Sequence, residues 1–488
     1  MSLIQVSNLT FAYDGSYENI FENASFQIDT NWRLGFTGRN GRGKTTFLNL
    51  LLGKYEYQGN ISASVSFSYF PYHIADKTIF AIDVVEEIYP EYQYWQLVRE
   101  MNALQLDEDV LYRPFETLSN GEQTKLMLAV LFLKENNFLL IDEPTNHLDI
   151  QGRELVSRYL NSKKGFILVS HDRAFLDGSV DHILSINKAS IDVCRGNFST
   201  WYENKLRQDA FEQAKNEKLK QEVQRLEETA REKAVWSDRV EATKIGFGPC
   251  DRGYIGHKAA KMMARSKAIE KRQQAAIEEK SQLLKNIERI DALKILQTPF
   301  HSKQLVTLRD VTICYDKEPI CEGITFEIQQ GDRIALQGAN GSGKSSIIKL
   351  ICGEDIPYTG EMRIGNGLSI SYVSQDTLEL RGKLTDFARD SGIDESLFLA
   401  LLAKLDVPKR QMEKDMSSLS AGQKKKVLLA RSICQPTHLH IWDEPMNYID
   451  VISRMQIEEL LLQFKPTILF VEHDKVFCDN IATKVVQL

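Results

Sequence analysis

Two nine-residue stretches, GRNGRGKTT at 38–46 and GANGSGKSS at 338–346, share the spacing G-x-x-x-x-G-K-[ST]. Glycines at those intervals let successive backbone N–H groups close around phosphate oxygens, and a helix that starts at the lysine adds the positive end of its dipole. The spacing assigns Gly38, Asn40, Gly41, Gly43, Lys44, Thr45 and Thr46 to one phosphate loop. It assigns Gly338, Asn340, Gly341, Gly343, Lys344, Ser345 and Ser346 to the other. Lys44 and Lys344 are the cations expected to reach β- and γ-phosphates, and the Thr45 and Ser345 hydroxyls are expected to ligate Mg²⁺.

Each loop has downstream partners in the same order. An aliphatic run ending in two carboxylates appears as FLLIDE (138–143) and LHIWDE (439–444). A carboxylate pair at a strand end is costly without a cation, so Asp142 and Asp443 are read as Mg²⁺-side ligands. Glu143 and Glu444 are read as the groups that polarise an attacking water. His171 and His473 each follow a β-type run, GFILVS and TILFVE. A lone histidine after a strand is as a rule structural; its recurrence in both copies makes it a γ-phosphate sensor candidate.

The elements that must position these groups are legible on either side. A strand-like run precedes each loop (RLGFTG, RIALQG) and a helix-like one follows (TTFLNLLLG, SSIIKLICG). The loops are offset by 300 residues, and LSNGE with LSAGQ, IDEPTNHLD with WDEPMNYID, and VSHD with VEHD repeat in register. A period this long is a duplicated domain and not a solenoid. The division expected is a first α/β domain at 1–199, a linker at 200–298 and a second α/β domain at 299–488. The linker is rich in Lys, Arg, Glu, Gln and Ala. Its apolar residues recur by threes and fours (Leu219, Val223, Leu226, Ala230; Ile277, Leu284, Ile287), the pattern of a helical hairpin. Its tip, near 243–258, contains KIGFGPCDRGYIGHK.

Bulk properties bound the rest. The 488 residues, 43% of them hydrophobic, suffice for more than one core. Seven scattered cysteines, with no Cys-x-x-Cys pair, suggest neither a disulfide framework nor a zinc site, and a reducing cytoplasm fits. The first residues alternate like a strand and lack a secretory pattern, and no apolar run approaches the ~20 residues of a membrane span. The formal net charge is −7, yet residues 239–272 hold nine Lys/Arg against three acidic groups, so a basic patch sits on an acidic body.

These motifs resemble the ATP-binding cassette ATPases, whose Leu-Ser-x-Gly signature is present at Leu118–Gly121 and Leu419–Gly422. The resemblance implies two tandem cassettes in one monomer that sandwich two ATP molecules head to tail. One site would combine Lys44, Asp142, Glu143 and His171 with Ser420 and Gly422. The other would combine Lys344, Asp443, Glu444 and His473 with Ser119 and Gly121. It also implies Gln375 as a Mg²⁺ contact, and adenine stacking on Tyr13 and Tyr315, although either tyrosine could equally serve a core. Aligning VSFSYFPY with LSISYVSQ puts Tyr72 where the second copy has Gln375, and Met446 and Tyr448 replace Thr145 and His147. Two competent but unequal sites are expected.

Fused cassettes without a membrane domain resemble the ABC-F subfamily, whose members bind the ribosome near the tRNA exit site. That likeness implies a 70S partner, with Lys244, Phe247, Arg252, Tyr254, His257 and Lys258 of the tip meeting 23S rRNA and P-site tRNA. The short arm between Tyr72 and Ser119, the loop variant and the tip look most like antibiotic-resistance members, particularly the Lsa group. These protect the ribosome from lincosamides, streptogramin A and pleuromutilins. Two other readings stay open: a factor rescuing stalled ribosomes, and the ATPase subunit of a drug exporter.

Overall fold

The computed structural model describes the chain except residues 1, 14–18, 135, 147, 187–190, 212–213, 216, 219–220, 222–223, 226–297, 316–317, 340 and 378–379. The chain divides into two compact units, Met1–Trp201 with Ala292–Leu488, and Tyr202–Asp291. The linker tip and all six of its candidate contact residues lie outside the described residues, as do Asn340 and His147.

Each cassette in the first unit has two sheets. In the first, Leu3–Phe11 alternates buried and exposed positions and pairs antiparallel with Phe21–Asp29 and Gln58–Ser62. One face of this small sheet is therefore apolar, the pattern of a half-buried strand. The larger sheet runs in the order Ser66–Phe70, Asn137–Asp142, Phe166–Val169, Arg33–Thr37, His182–Ile186, Ile191–Arg195, parallel except for the last strand. Phe166–Val169 is buried at every position, as expected for a parallel strand covered on both faces. The second cassette repeats this arrangement with Ile370–Val373, Leu439–Asp443, Ile468–Val471, Arg333–Gln337 and Lys484–Gln487, all parallel.

The strand order puts the chemistry together. Parallel strands end on the same edge, so the neighbouring strands ending at Asp142, Val169 and Thr37 deliver the carboxylate pair, His171 and the phosphate loop to one crevice. The helix after the loop, Lys44–Leu51, is anchored by Phe47, whose ring packs 5.6 Å from Phe36 and 6.1 Å from Phe21. Burying such a side chain is worth roughly 1.5–3 kcal/mol, which fixes the helix start and the loop ahead of it. Gly43, with φ 93°, caps that start; a Cβ there would sit 2.5 Å from Ile20 Cγ2, so only glycine fits.

Candidate functional site

Both lysines fold back into their loops. Lys44 Nζ donates to Gly38 O at 2.6 Å, and Lys344 Nζ donates to Ala339 O at 2.7 Å and Gly338 O at 3.0 Å. Burial pulls the pKa of both ammonium groups down and outweighs the nearby carboxylates, Asp450, Glu143 and Asp142 at Lys44 and Glu444, Asp443 and Asp149 at Lys344, which act upward. The Thr45 hydroxyl donates to Asp142 Oδ2 at 3.2 Å, and Ser345 is hydrogen-bonded to Asp443. Burial raises both aspartates above the usual carboxylate range, and Asp443 Oδ1 is buried without a hydrogen-bond partner. A hydroxyl beside a partner-starved carboxylate is a hard oxygen pair, which fits Mg²⁺. No group of three or more His, Cys, Asp or Glu able to hold a metal occurs among the described residues.

Both glutamates adopt left-handed backbone conformations, φ 51° at Glu143 and 46° at Glu444, an unfavourable region for a non-glycine residue. Each N–H is held by the adjacent strand, Glu143 by Val169 O at 2.9 Å and Glu444 by Val471 O at 3.1 Å, so strain and hydrogen bond together aim the carboxylate into the crevice. Each faces its histidine: His171 Nε2 is 3.3 Å from Glu143 Oε1 and His473 Nε2 is 3.4 Å from Glu444 Oε1.

The environments then diverge. Burial, and then the neighbouring Asp142, push Glu143 up to about 8, and its Oε1 has no hydrogen-bond partner. Burial acts upward on Glu444 too, but the His473 hydrogen bond and Asn447 Nδ2, donating at 2.6 Å, bring it below the ordinary value. Gln375 Nε2 adds a further donor to Glu444 at 2.9 Å. Strand pairing of Tyr69 with Leu140 and of Tyr372 with Ile441 places Tyr72 at the offset of Gln375. The first site thus offers a phenol where the second offers an amide. Lys425 deepens the difference: buried, it donates to Ser374 O at 2.7 Å, fastening the segment that carries Gln375, while Thr124 at the same step of the first signature helix only bonds Asn120 O.

The cassettes face each other head to tail. The phosphate loop of the second lines a cavity of about 460 Å³ with Glu444, His473 and Gln375, and Asn120, Asn146 and Leu148 of the first cassette close it. On the other side Asn40 Nδ2 donates to Tyr448 O at 2.8 Å, and a Cβ on Gly422 would lie 2.4 Å from Tyr448 O and 3.2 Å from Asn40 Nδ2. Ser119 and Ser420 cap their signature helices in reciprocal boxes with Glu122 and Gln423; each hydroxyl accepts a backbone N–H and keeps its own proton to donate. Arg173 pairs with Glu458 and Lys475 pairs with Glu154 at 2.9 Å across the same interface.

Ser119 and Gly121 were expected opposite Lys344; the residue of that signature that lines the cavity is instead Asn120, between them. Asn120, Asn146, Leu148, Asn447 and Lys425 were not singled out in the sequence; the buried lysine had a faint signal, a KKK run inside an apolar helix. Tyr13 and Tyr315 are 43% and 40% exposed, and their hydroxyls reach Thr46 at 2.8 Å and Ser346 at 3.4 Å. Each therefore presents a ring beside its loop.

A family described as ABC transporter matches residues 21–146 and 321–447, just over half of the chain. The ribosome protection protein VmlR of Bacillus subtilis is 27% identical, aligned over 98% of this chain and 85% of its own length. An ABC transporter F family member of Arabidopsis thaliana is 23% identical over 99% of this chain and 76% of its own. Among solved structures, archaeal ribosome recycling factor aABCE1, crystallised with ribosomal stalk protein aP1, superposes with a TM-score of 0.64 at 19% identity, covering 98% and 87% of the two chains.

Proposed function

This chain belongs to the ABC transporter family, and from that premise we propose that it is an ABC-F ATPase of the cytoplasm that acts on the 70S ribosome and protects it from antibiotics of the peptidyl-transferase centre. It is an ATPase. The observation that carries the site assignment is the composite cavity, in which Lys344, Ser345 and Glu444 of one cassette are enclosed by Asn120 and Asn146 of the other. The ribosomal reading is supported by the full-length likeness to a ribosome protection protein and by the basic stretch at 239–272. No helix among the described residues is long and apolar enough to cross a membrane.

ATP with Mg²⁺ supplies, when bound, the phosphoanhydride that is hydrolysed. The chain's residues do the rest. Backbone N–H groups of 38–44 and 338–344 hold phosphates, with Lys44 and Lys344 released from the loop carbonyls toward them. Thr45 with Asp142, and Ser345 with Asp443 and Gln375, hold Mg²⁺. Glu143 and Glu444 orient water against His171 and His473. Tyr13 and Tyr315 stack on adenine. Ser119, Gly121, Ser420 and Gly422 close each site from the opposite cassette, so a complete site exists only when the halves are together, and nucleotide favours that state by differential binding. Closure would then set the helical hairpin, with Lys244, Phe247, Arg252, Tyr254, His257 and Lys258 at its tip, against 23S rRNA and P-site tRNA. The short arm and tip sequence favour an Lsa-type spectrum of lincosamides, streptogramin A and pleuromutilins.

The test is drug susceptibility of a bacterial strain lacking the protein, complemented with the full chain or with a chain lacking 247–256. Protection restored by the first and lost with the second supports the reading. Equal susceptibility in all three strains removes the resistance role and leaves rescue of stalled ribosomes as the surviving ribosomal function.

A further inference from the structure

The phosphate loops differ at two positions that phosphate binding by backbone groups does not use: Arg39 and Arg42 in the first stand where the second has Ala339 and Ser342. Both arginines reach out of their own cassette. Arg39 Nη1 lies 3.2 Å and Arg42 Nη2 3.7 Å from one oxygen, Oδ1 of Asp406 in the second cassette. The three side chains are only 18%, 30% and 19% exposed, so water screens the contact incompletely.

Asp406 is itself fixed. It follows the helix Glu395–Lys404 with φ 60°, donates its N–H to Ala403 O at 3.1 Å, and is followed by Val407, whose N–H closes on Leu402 O. The first cassette repeats this turn after the helix Tyr94–Ala103: Gln105 has φ 50°, donates to Asn102 O, and Leu106 closes on Met101 O. The counterpart of Asp406 is therefore Gln105. All three members of the contact are charged at the first site, and their counterparts Gln105, Ala339 and Ser342 are all neutral. The asymmetry belongs to the interface and not to a single substitution.

We propose that Asp406 is a positioning residue: through Arg39 and Arg42 it holds the first phosphate loop against the second cassette, so that the first site releases nucleotide slowly while the second exchanges freely. The inference rests on the reading that both sites bind ATP. Nucleotide can leave a head-to-tail site only when loop and opposite cassette separate. An ion pair bridging that seam is broken on the way, and its strength appears in the release rate. For partly shielded pairs of this kind the effect is on the order of five- to tenfold. The Asn40–Tyr448 hydrogen bond lies on the same seam and acts in the same direction.

The test uses the full chain carrying Glu143→Gln and Glu444→Gln, loaded with a fluorescent ATP analogue and chased with unlabelled ATP. Two release phases are expected, and Lys44→Ala should remove the slow one. Asp406→Asn should accelerate the slow phase about five- to tenfold and leave the fast phase unchanged, while Asp406→Glu should retain it. Raised salt should speed the slow phase in the parent and have little effect in Asp406→Asn. Without nucleotide, hydrogen exchange at amides 39–43 should quicken in Asp406→Asn. A single phase in the parent, or equal acceleration of both phases, overturns the proposal. Failure of the parent to bind the analogue overturns the ATP-site reading beneath it.

Discussion

Replacing each glutamate by its neutral isostere should change stability in opposite directions at the two sites. In the nucleotide-free chain Glu143 is raised from 4.5 to about 8 by burial and by Asp142. A carboxyl with a raised folded-state pKa favours folding fully below its unfolded value, and that contribution is lost as pH rises through the folded one. The window therefore runs from about pH 4.5 to about pH 8. Each unit is about 1.36 kcal/mol, so the gap has a ceiling of roughly 4–5 kcal/mol; halving it for relaxation and water entry leaves roughly 2 kcal/mol. In a cassette of ~200 residues that is an increase in Tm of about 4–8 °C for Glu143→Gln at pH 8.5, shrinking to nothing near pH 4.5. Glu444 is held below its ordinary value despite burial, by His473 and Asn447, so Glu444→Gln should lower Tm above that value. Differential scanning calorimetry of nucleotide-free wild type and both variants across this range reads the result. Shifts of the same sign, or shifts that do not vary with pH, would refute the electrostatic asymmetry.

Other expectations follow from the same contacts. Gly422→Ala places a methyl 2.4 Å from Tyr448 O and against Asn40, so ATP turnover should fall at least tenfold while each cassette stays folded, as judged by circular dichroism. Glu458→Ala strands the buried Arg173 and deletes the acceptor of Asn480, which should lower stability by roughly 3 kcal/mol and appear as a reduced denaturant midpoint. Lys425→Met frees the backbone around Gln375, so steady-state hydrolysis measured in a Glu143→Gln background should decline severalfold while nucleotide affinity is kept.

Much of this arrangement was legible in the sequence, because phosphate loops, strand-end carboxylates and signature helices follow from local residue patterns. Gly43 caps the helix after its loop, Thr45 hydrogen-bonds Asp142, and Ser119 caps the helix of its signature. The sequence also exposed the Tyr72-for-Gln375 exchange, since strand register preserves the alignment of VSFSYFPY with LSISYVSQ. What it hid depends on long-range packing. Nothing local marks Asp406 as the partner of Arg39, more than 360 positions away, or Glu458 as that of Arg173. The unequal protonation of Glu143 and Glu444 was likewise out of reach, because both sit in the same Asp-Glu-Pro string and differ in how neighbouring chains bury and hydrogen-bond them.

The central claim is that ATP clamps the two cassettes together and so holds the chain on the ribosome. It is tested most directly by sedimenting the Glu143→Gln, Glu444→Gln chain with bacterial 70S particles through a sucrose cushion. The account predicts near-stoichiometric recovery with ATP and little with ADP. Equal recovery with both nucleotides, or none with either, would contradict it.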